Sequence, residues 1–470
     1  NGDGHNYFRS MNVVKTESWA LFGEGYLDVT PRLRLTVGAR YTDDAKTSTP
    51  HPSQLLLTIG PNLGFSTGGS AAIGYPAEPD VKQRWRRFTG RAVIDWNPEV
   101  SFTDDTMIYA SFSHGYKGGG TNPPRVDFDP EIVRLQPLAE TFEPESVNAF
   151  EIGMKNVFAG GRAGINLTGF YYDYSNYQVS QIVDRIALNE NFDTRSMGLE
   201  FEGWWQPAHG LRLTANVGYL RTRIADGEES IDVMNRTQGN EDWMVVRPWV
   251  QVPSNCVAPR EAVERILASP LSAGPEGGLG GLALAALCTS SNRLGDFDPN
   301  APEGQVPFYL LYGFTYDPLL PYDPSLSPIG TLFGTDPRSG APNGGRGFAA
   351  PLGGNEMPNS PRLTINLSAQ YTVEMGEWEM TLRGDYYRQS ESWARVYNTE
   401  YDRLKGWDNA NLAITFNNRS WDLSAQLYVK NVFDNTPITD AFTNSDDTGL
   451  TTNVFTLDPR IVGFRLTKGF

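Results

Sequence analysis

Stretches in which apolar and polar residues alternate one by one recur along this chain, and they are long. Residues 32–41 put Leu33, Leu35, Val37, Ala39 and Tyr41 on one side, and Arg32, Arg34, Thr36, Gly38 and Arg40 on the other. Successive side chains of a strand point to opposite faces, so such a segment has one greasy and one wet surface. The same alternation appears in 211–219, 363–371 and 421–429. Thirteen strands are expected, at about 15–28, 32–43, 84–97, 105–117, 146–158, 162–175, 194–206, 211–224, 360–374, 377–391, 406–417, 420–432 and 454–470. Most exceed the five or six residues usual in globular sheets, and they supply the roughly 9–11 needed to cross a bilayer. The pattern predicts an all-β fold, a transmembrane antiparallel β-barrel.

The connections support that reading. Short ones (29–31, 97–104, 159–161, 207–210, 374–376, 418–419) alternate with long ones (44–83, 118–145, 176–193, 225–359, 392–405, 433–453). Short periplasmic turns and longer external loops are the habit of outer-membrane barrels. Trp19, Trp96, Trp205, Tyr219, Trp378, Trp393, Trp407 and Trp421 fall near strand ends, as interfacial girdles do. Membrane-spanning helices are excluded, because the longest candidate run, 277–288, is twelve residues and Gly-rich. An aromatic content of 12% speaks against disorder, and a net charge of −16 against a nucleic-acid partner. Two cysteines and four scattered histidines supply no metal set, and no catalytic constellation or cofactor motif is present. If the C-terminus is periplasmic, thirteen strands place residues 1–14 in an external loop. Bacterial single-chain barrels have even strand numbers, and an open edge in lipid leaves backbone groups unpaired. The chain is therefore expected to be the C-terminal part of a larger barrel.

Several segments resemble one family, the TonB-dependent outer-membrane receptors. They are YASFSHGYKGGGTN at 109–122, PESVNAFEIGMKNVF at 144–158, LTGFYYDYSNYQV at 167–179, VKNVFDNTP at 429–437 and the terminal GFRLTKGF. The resemblance covers nearly every strand and omits 225–359. It implies a complete barrel of about 22 strands around a plug. It also implies energised uptake of a small-molecule substrate, most commonly a ferric siderophore, driven by the TonB energy-coupling complex. Cobalamin, oligosaccharides and small aromatic compounds are the alternatives within the family; a passive porin or a surface-binding structural protein are the alternatives outside it. The terminal strand, with Val462, Phe464, Leu466 and Phe470 alternating, resembles the family's assembly signal, with Lys468 departing from it.

Alternation assigns Glu24, Asp28, Arg34, Arg40, Arg87, Arg91, Asp95, Glu151, Lys155, Glu200, Glu202, Arg383 and Asp385 to the lumen, where they would meet a plug or substrate. Glu200 and Glu202 share a face through alternation alone and need no acid–base role. Arg84 and Arg86 fall on the outer face, at the external end of a strand, and would suit lipopolysaccharide phosphates. His114, Tyr116 and Lys117 stand near the external mouth as candidate substrate contacts. The glycines after Lys117 lack the Gly-Lys-Ser/Thr and helix of a phosphate loop.

The 225–359 insertion carries 16 acidic residues against seven arginines, a net of −9. Residues 259–269 predict a short helix ended by Pro270, and 282–287 a second. Cys256 and Cys288 flank both, and an oxidising exterior favours a bond between them. Tyr309, Tyr312 and Tyr316 lie among prolines and could capture a ligand or pin the loop to its neighbours. The insertion is expected to be a lid or a docking face for a surface partner. The expected organisation is an external loop start (1–14), barrel strands (15–224), the insertion (225–359) and C-terminal barrel strands (360–470).

Overall fold

A computed structural model describes residues 12–50, 79–122, 139–183, 186–247, 255–273, 278–289, 295–300, 306–444 and 449–469. Thirteen strands form one antiparallel sheet in chain order: β1 Val13–Thr30, β2 Leu33–Thr49, β3 Val81–Trp96, β4 Asp105–Lys117, β5 Glu145–Phe158, β6 Ala163–Val183, β7 Ile186–Ala208, β8 Leu211–Ile224, β9 Leu363–Met375, β10 Trp378–Gln389, β11 Trp407–Asn418, β12 Leu423–Lys430 and β13 Ile461–Lys468. Every strand pairs with its neighbours in sequence, as a meander of hairpins must. Among the described residues β1 and β13 pair on one side only. No described helix is long and apolar enough to cross a membrane.

Register separates two faces. The pairs Leu21–Tyr41–Phe88, Ile152–Gly169–Leu199 and Leu427–Phe464 lie on one face. That face leaves Leu21, Phe22's neighbours along the strand, Phe88 and Phe464 open to the surroundings, with Leu21 74%, Phe88 71% and Phe464 66% exposed. Lipid makes such exposure favourable, since apolar surface in water costs roughly 25 cal/mol per Å². The opposite face is the wet one. Trp205, Trp378 and Trp421 sit at the short-turn end of the apolar face, and Trp378 and Trp421 meet edge to face at 5.8 Å.

Two expected boundaries change. The 176–193 connection is no loop: β6 and β7 continue as a tall hairpin whose pairing runs to Val183–Ile186. The expected 454–470 strand divides at Pro459. Thr452–Thr456 pairs with Ile438–Thr443 in a small external hairpin, and the sheet strand begins only at Ile461. Proline cannot donate to a ladder, so the break falls there. Val462, Phe464 and Leu466 point outward as expected, while Phe470 lies outside the described residues. Lys468 donates from its ammonium to the Trp421 carbonyl at the rim.

The insertion folds around its own core. Helices α1 (Arg260–Ala268), α2 (Gly280–Ala286) and α3 (Phe308–Tyr312) surround Val263, Ile266, Leu287, Phe297, Phe308 and Phe314. Cys256 and Cys288 form a disulfide inside this core, with Cα atoms 5.6 Å apart. Helix α3 was not foreseen in the sequence, because five residues are too few to show a period.

Candidate functional site

The wet face is a charge-laced wall. Register puts Glu24, Asp28, Arg34, Arg40, Arg87, Arg91, Asp95, Glu151, Lys155, Glu200, Glu202, Arg383 and Asp385 all on it. Most are held by neighbours. Arg91 donates to both oxygens of Glu24 at 2.8 and 3.0 Å, Arg34 to Asp28 at 2.7 Å and Arg383 to Asp385 at 2.9 Å. The Tyr172 hydroxyl donates to Glu151 at 2.6 Å, and Asn166 to Glu202 at 3.2 Å. A recess of about 630 Å³ runs along this wall beside Glu24, Arg40, Asp44, Arg91 and Ser113.

Polar residues are not the whole lining. Phe170, Tyr172, Tyr174 and Tyr177 form an aromatic ladder up the wet face of β6, with ring centroids 4.9, 6.4 and 5.4 Å apart. Strict alternation would turn Tyr177 to the lipid side. A one-residue bulge between Tyr174 and Tyr177 keeps it inward, opposite Phe192, and Asn176 takes the positive φ of 57° there. Asn tolerates that left-handed conformation better than most residues, and it is the one local signal of the bulge. At the lower end Phe170 lies over Gly198. A Cβ at Gly198 would stand 2.7 Å from that ring and 2.2 Å from the Tyr219 carbonyl.

Above the ladder, the external segments fold inward. The wet face of the raised β6–β7 hairpin carries Val183 and Leu188, covered by Val233 of the insertion. Phe192 and Ile224 are covered by Leu352 and Met357 of the insertion and by Val396 and Tyr397 of the 390–406 segment. A buried ion triad holds these parts together. Arg395 donates to Asp232 and to Asp402, each at 2.6 Å, with the two carboxylates 3% and 2% exposed. Beside it, Ser230 and Gln181 donate to Glu190, and the Tyr397 hydroxyl donates to the Ile231 carbonyl at 2.9 Å. Burial pushes the Tyr397 phenol well above its usual range.

A cavity of about 520 Å³ opens under this roof, within the size range of small-molecule sites. Tyr177, the top rung of the ladder, lines it together with Glu190, Met357, Arg395, Asp440 and Phe442. Sequence reasoning missed this cavity, because its walls come from four distant segments.

Other candidates are placed differently. His114 and Tyr116 lie on the outward parity of β4, His114 opposite Gly90 and Asn148, and both border the recess beside Glu24 and Arg91. His114 Nδ1 is 2.8 Å from the Asn148 side-chain oxygen. Lys117 does face inward, 3.5 Å from Glu145. Tyr316 is 1% exposed within the insertion core, and Tyr309 and Tyr312 pack against that core. Tyr316 thus helps to pin the insertion together, while Tyr309 and Tyr312 stay half-buried at the edge of its core. Arg84 and Arg86 are on the outer face, as expected. Both donate to Asp43, Arg84 at 2.7 and 2.8 Å and Arg86 at 3.0 Å, just above the Trp19–Tyr41–Phe88 cluster. Among the described residues no group of three or more His, Cys, Asp or Glu side chains could hold a metal ion.

Residues 1–252 match the family described as TonB dependent receptor-like, beta-barrel. The fold is similar to solved outer-membrane receptors at low identity. The ferric yersiniabactin uptake receptor FyuA of Yersinia pestis matches with a TM-score of 0.56 at 14% identity, over 97% of this chain and 46% of that one. The siderophore receptor PiuA of Acinetobacter baumannii matches with a TM-score of 0.52 at 14% identity, over 96% and 43%. This chain thus spans less than half the length of either structure.

Proposed function

The chain belongs to the TonB-dependent receptor β-barrel family and is an integral outer-membrane β-barrel; from that premise we propose that it forms the C-terminal barrel wall of a receptor for energised uptake of a small molecule. The observation that carries this reading is the inward fold of the external segments over the wet face. A passive porin needs an open mouth, whereas here the insertion and the 390–406 segment cover the raised hairpin. A roofed entrance suits a device that captures a solute and then moves it by work done elsewhere. A plug and the remaining strands of the same receptor would face the charged wall, and the TonB complex would supply the work. The insertion acts as a lid in this reading, with Val233, Leu352 and Met357 covering the raised hairpin.

A ferric siderophore remains the leading substrate class by family resemblance. Small aromatic compounds are the second reading, favoured by the Phe170–Tyr177 ladder descending from the cavity. Arg84 and Arg86, with their carboxylate partner above an aromatic cluster, would meet lipopolysaccharide phosphates in the outer leaflet. The test is accumulation of labelled ferric chelates and labelled aromatic acids in cells carrying the complete receptor, with and without a protonophore. Energised uptake is abolished by the protonophore. Uptake that persists unchanged identifies a passive pore and removes the proposal.

A further inference from the structure

The charge around the vestibule cavity is lopsided. Asp440 and Glu190 stand in its lining, and Asp232 and Asp402 lie directly behind Arg395. Two guanidiniums oppose these four carboxylates. Arg395 spends its Nε and Nη1 donors on Asp402 and Asp232, and Arg346 lies within electrostatic reach of Glu190. Lys117 is paired with Glu145 below and adds nothing net. Even with Glu190 protonated, carboxylates outnumber cations. Asp440 accepts from Asn359 at 3.1 Å and from the Ala441 N–H at 2.8 Å, both neutral donors, so its charge is not cancelled by a partner.

The remaining walls are aromatic and apolar: Tyr177, Tyr397, Phe442, Phe455 and Met357. Phe442 and Phe455 are 42% and 55% exposed on the 438–456 hairpin. Aromatic faces attract cations and accept flat apolar groups, and carboxylates reinforce the first preference. A dense anion entering here would meet like charge without a free guanidinium in the described lining to receive it, under a roof that limits screening.

We propose that this cavity admits neutral or cationic amphipathic ligands and turns away polyanionic ones. Its place in transport rests on the uptake reading above, but its charge preference is measurable alone. Within the ferric chelates, uncharged or cationic complexes would be accepted and a trianionic tris-catecholate would not.

The experiment uses the complete receptor in outer-membrane vesicles, with any unpaired cysteine in the rest of the receptor replaced by serine and Ala441→Cys or, separately, Ala394→Cys introduced. The native cysteines are bonded and fully buried. Modification rates are measured with the cationic 2-(trimethylammonium)ethyl methanethiosulfonate and the anionic 2-sulfonatoethyl methanethiosulfonate, and their ratio is divided by that for free cysteine. The ratio is expected to be about tenfold above the reference at both positions, a size set by a net charge or two at short range in a partly screened site. In the Asp440→Asn background it falls by roughly threefold on the same footing. A ratio at or below the reference, or one unmoved by Asp440→Asn, overturns the proposal. So does failure of both thiols to react with either reagent, since the cavity would then be closed to solutes. Loss of energised accumulation with the ratio intact would overturn the transport reading and leave the charge preference standing.

Discussion

Arg395 is the keystone of the roof, and removing its charge gives the most demanding test. Its guanidinium lies between two carboxylates with almost no access to water, and stacks 5.0 Å from the Tyr397 ring. Arg395→Gln strands both. Breaking a buried ion pair by deleting one partner typically costs about 3–5 kcal/mol. Some compensation exists. Asp402 keeps the Thr399 hydroxyl at 2.7 Å, and Asp232 keeps the Met234 N–H at 2.9 Å. The lower end, about 3 kcal/mol, is therefore expected, which raises the population of the detached roof on the order of 100-fold. Hydrogen exchange on the complete receptor reads this directly. Amides of 228–236 and 392–404 should exchange on the order of 100-fold faster, while those of β9–β11 stay unchanged. A triple variant, Asp232→Asn with Arg395→Met and Asp402→Asn, removes every charge together and should recover most of the protection. Exchange in the single variant within threefold of wild type would refute the reasoning. If instead the triple variant opened as widely as the single one, the stranded charge would not be the cause.

The other expectations concern the insertion and the ladder. Cys256→Ser with Cys288→Ser reopens a 33-residue loop, given the sequence separation of 32, and chain entropy puts the loss near 3.7 kcal/mol. Limited proteolysis should then cut within 255–289 while the barrel keeps its heat-modifiable migration on gels. Burial raises the Asp296 carboxyl from 3.8 to about 6. A raised carboxyl stabilises the folded insertion fully below its unfolded value and loses that contribution as pH climbs through 6. The insertion should therefore be about 1 kcal/mol weaker at pH 7.5 than at pH 4 from this group, after discounting for solvent screening. Asp296→Asn should flatten that part of the exchange-versus-pH curve, and an identical curve in the variant would refute it. Gly198→Val would drive a side chain into the Phe170 ring and the Tyr219 carbonyl. A loss of roughly 1–3 kcal/mol is expected, seen as a lower unfolding temperature of the barrel; Phe170→Leu in the same background should restore part of it.

Much of this architecture was legible because a barrel strand writes its environment every second residue. Arg32–Tyr41 needs no partner to reveal its two faces, and the same alternation marks all thirteen strands near their observed places. The errors share one physical origin, which is anything that interrupts the period. Thr452–Thr456 continues the alternation of β13 in sequence, yet Pro459 detaches it into a separate hairpin. The bulge at Asn176 inverts the parity of everything above it, so the upper part of β6 read as loop. His114 and Tyr116 have the chemistry and the height of substrate contacts, but parity places them on the outward side beside Phe112. The tyrosines of the insertion could not be sorted, because burial in an irregular segment depends on contacts that no period encodes.

The same bulge has a functional consequence. Were Asn176 paired in a regular ladder instead of bulging, Tyr177, Val179 and Gln181 would point to the lipid side, and the apolar patch that seats Leu352, Met357 and Val396 would not exist. The Tyr174–Tyr177 contact at 5.4 Å, which joins the ladder to the cavity, would be lost as well. Inserting one residue between Phe192 and Asp193 gives Asn176 a partner and abolishes the bulge, and should therefore act on two features together. The roof would detach and the ladder would lose its top rung, while β6 below Tyr174 kept its pairing with β7. Faster exchange confined to 228–236, 350–358 and 392–404, with barrel amides unchanged, is the expected pattern. An insertion that left those segments protected would show that the roof is held by the Arg395 triad alone.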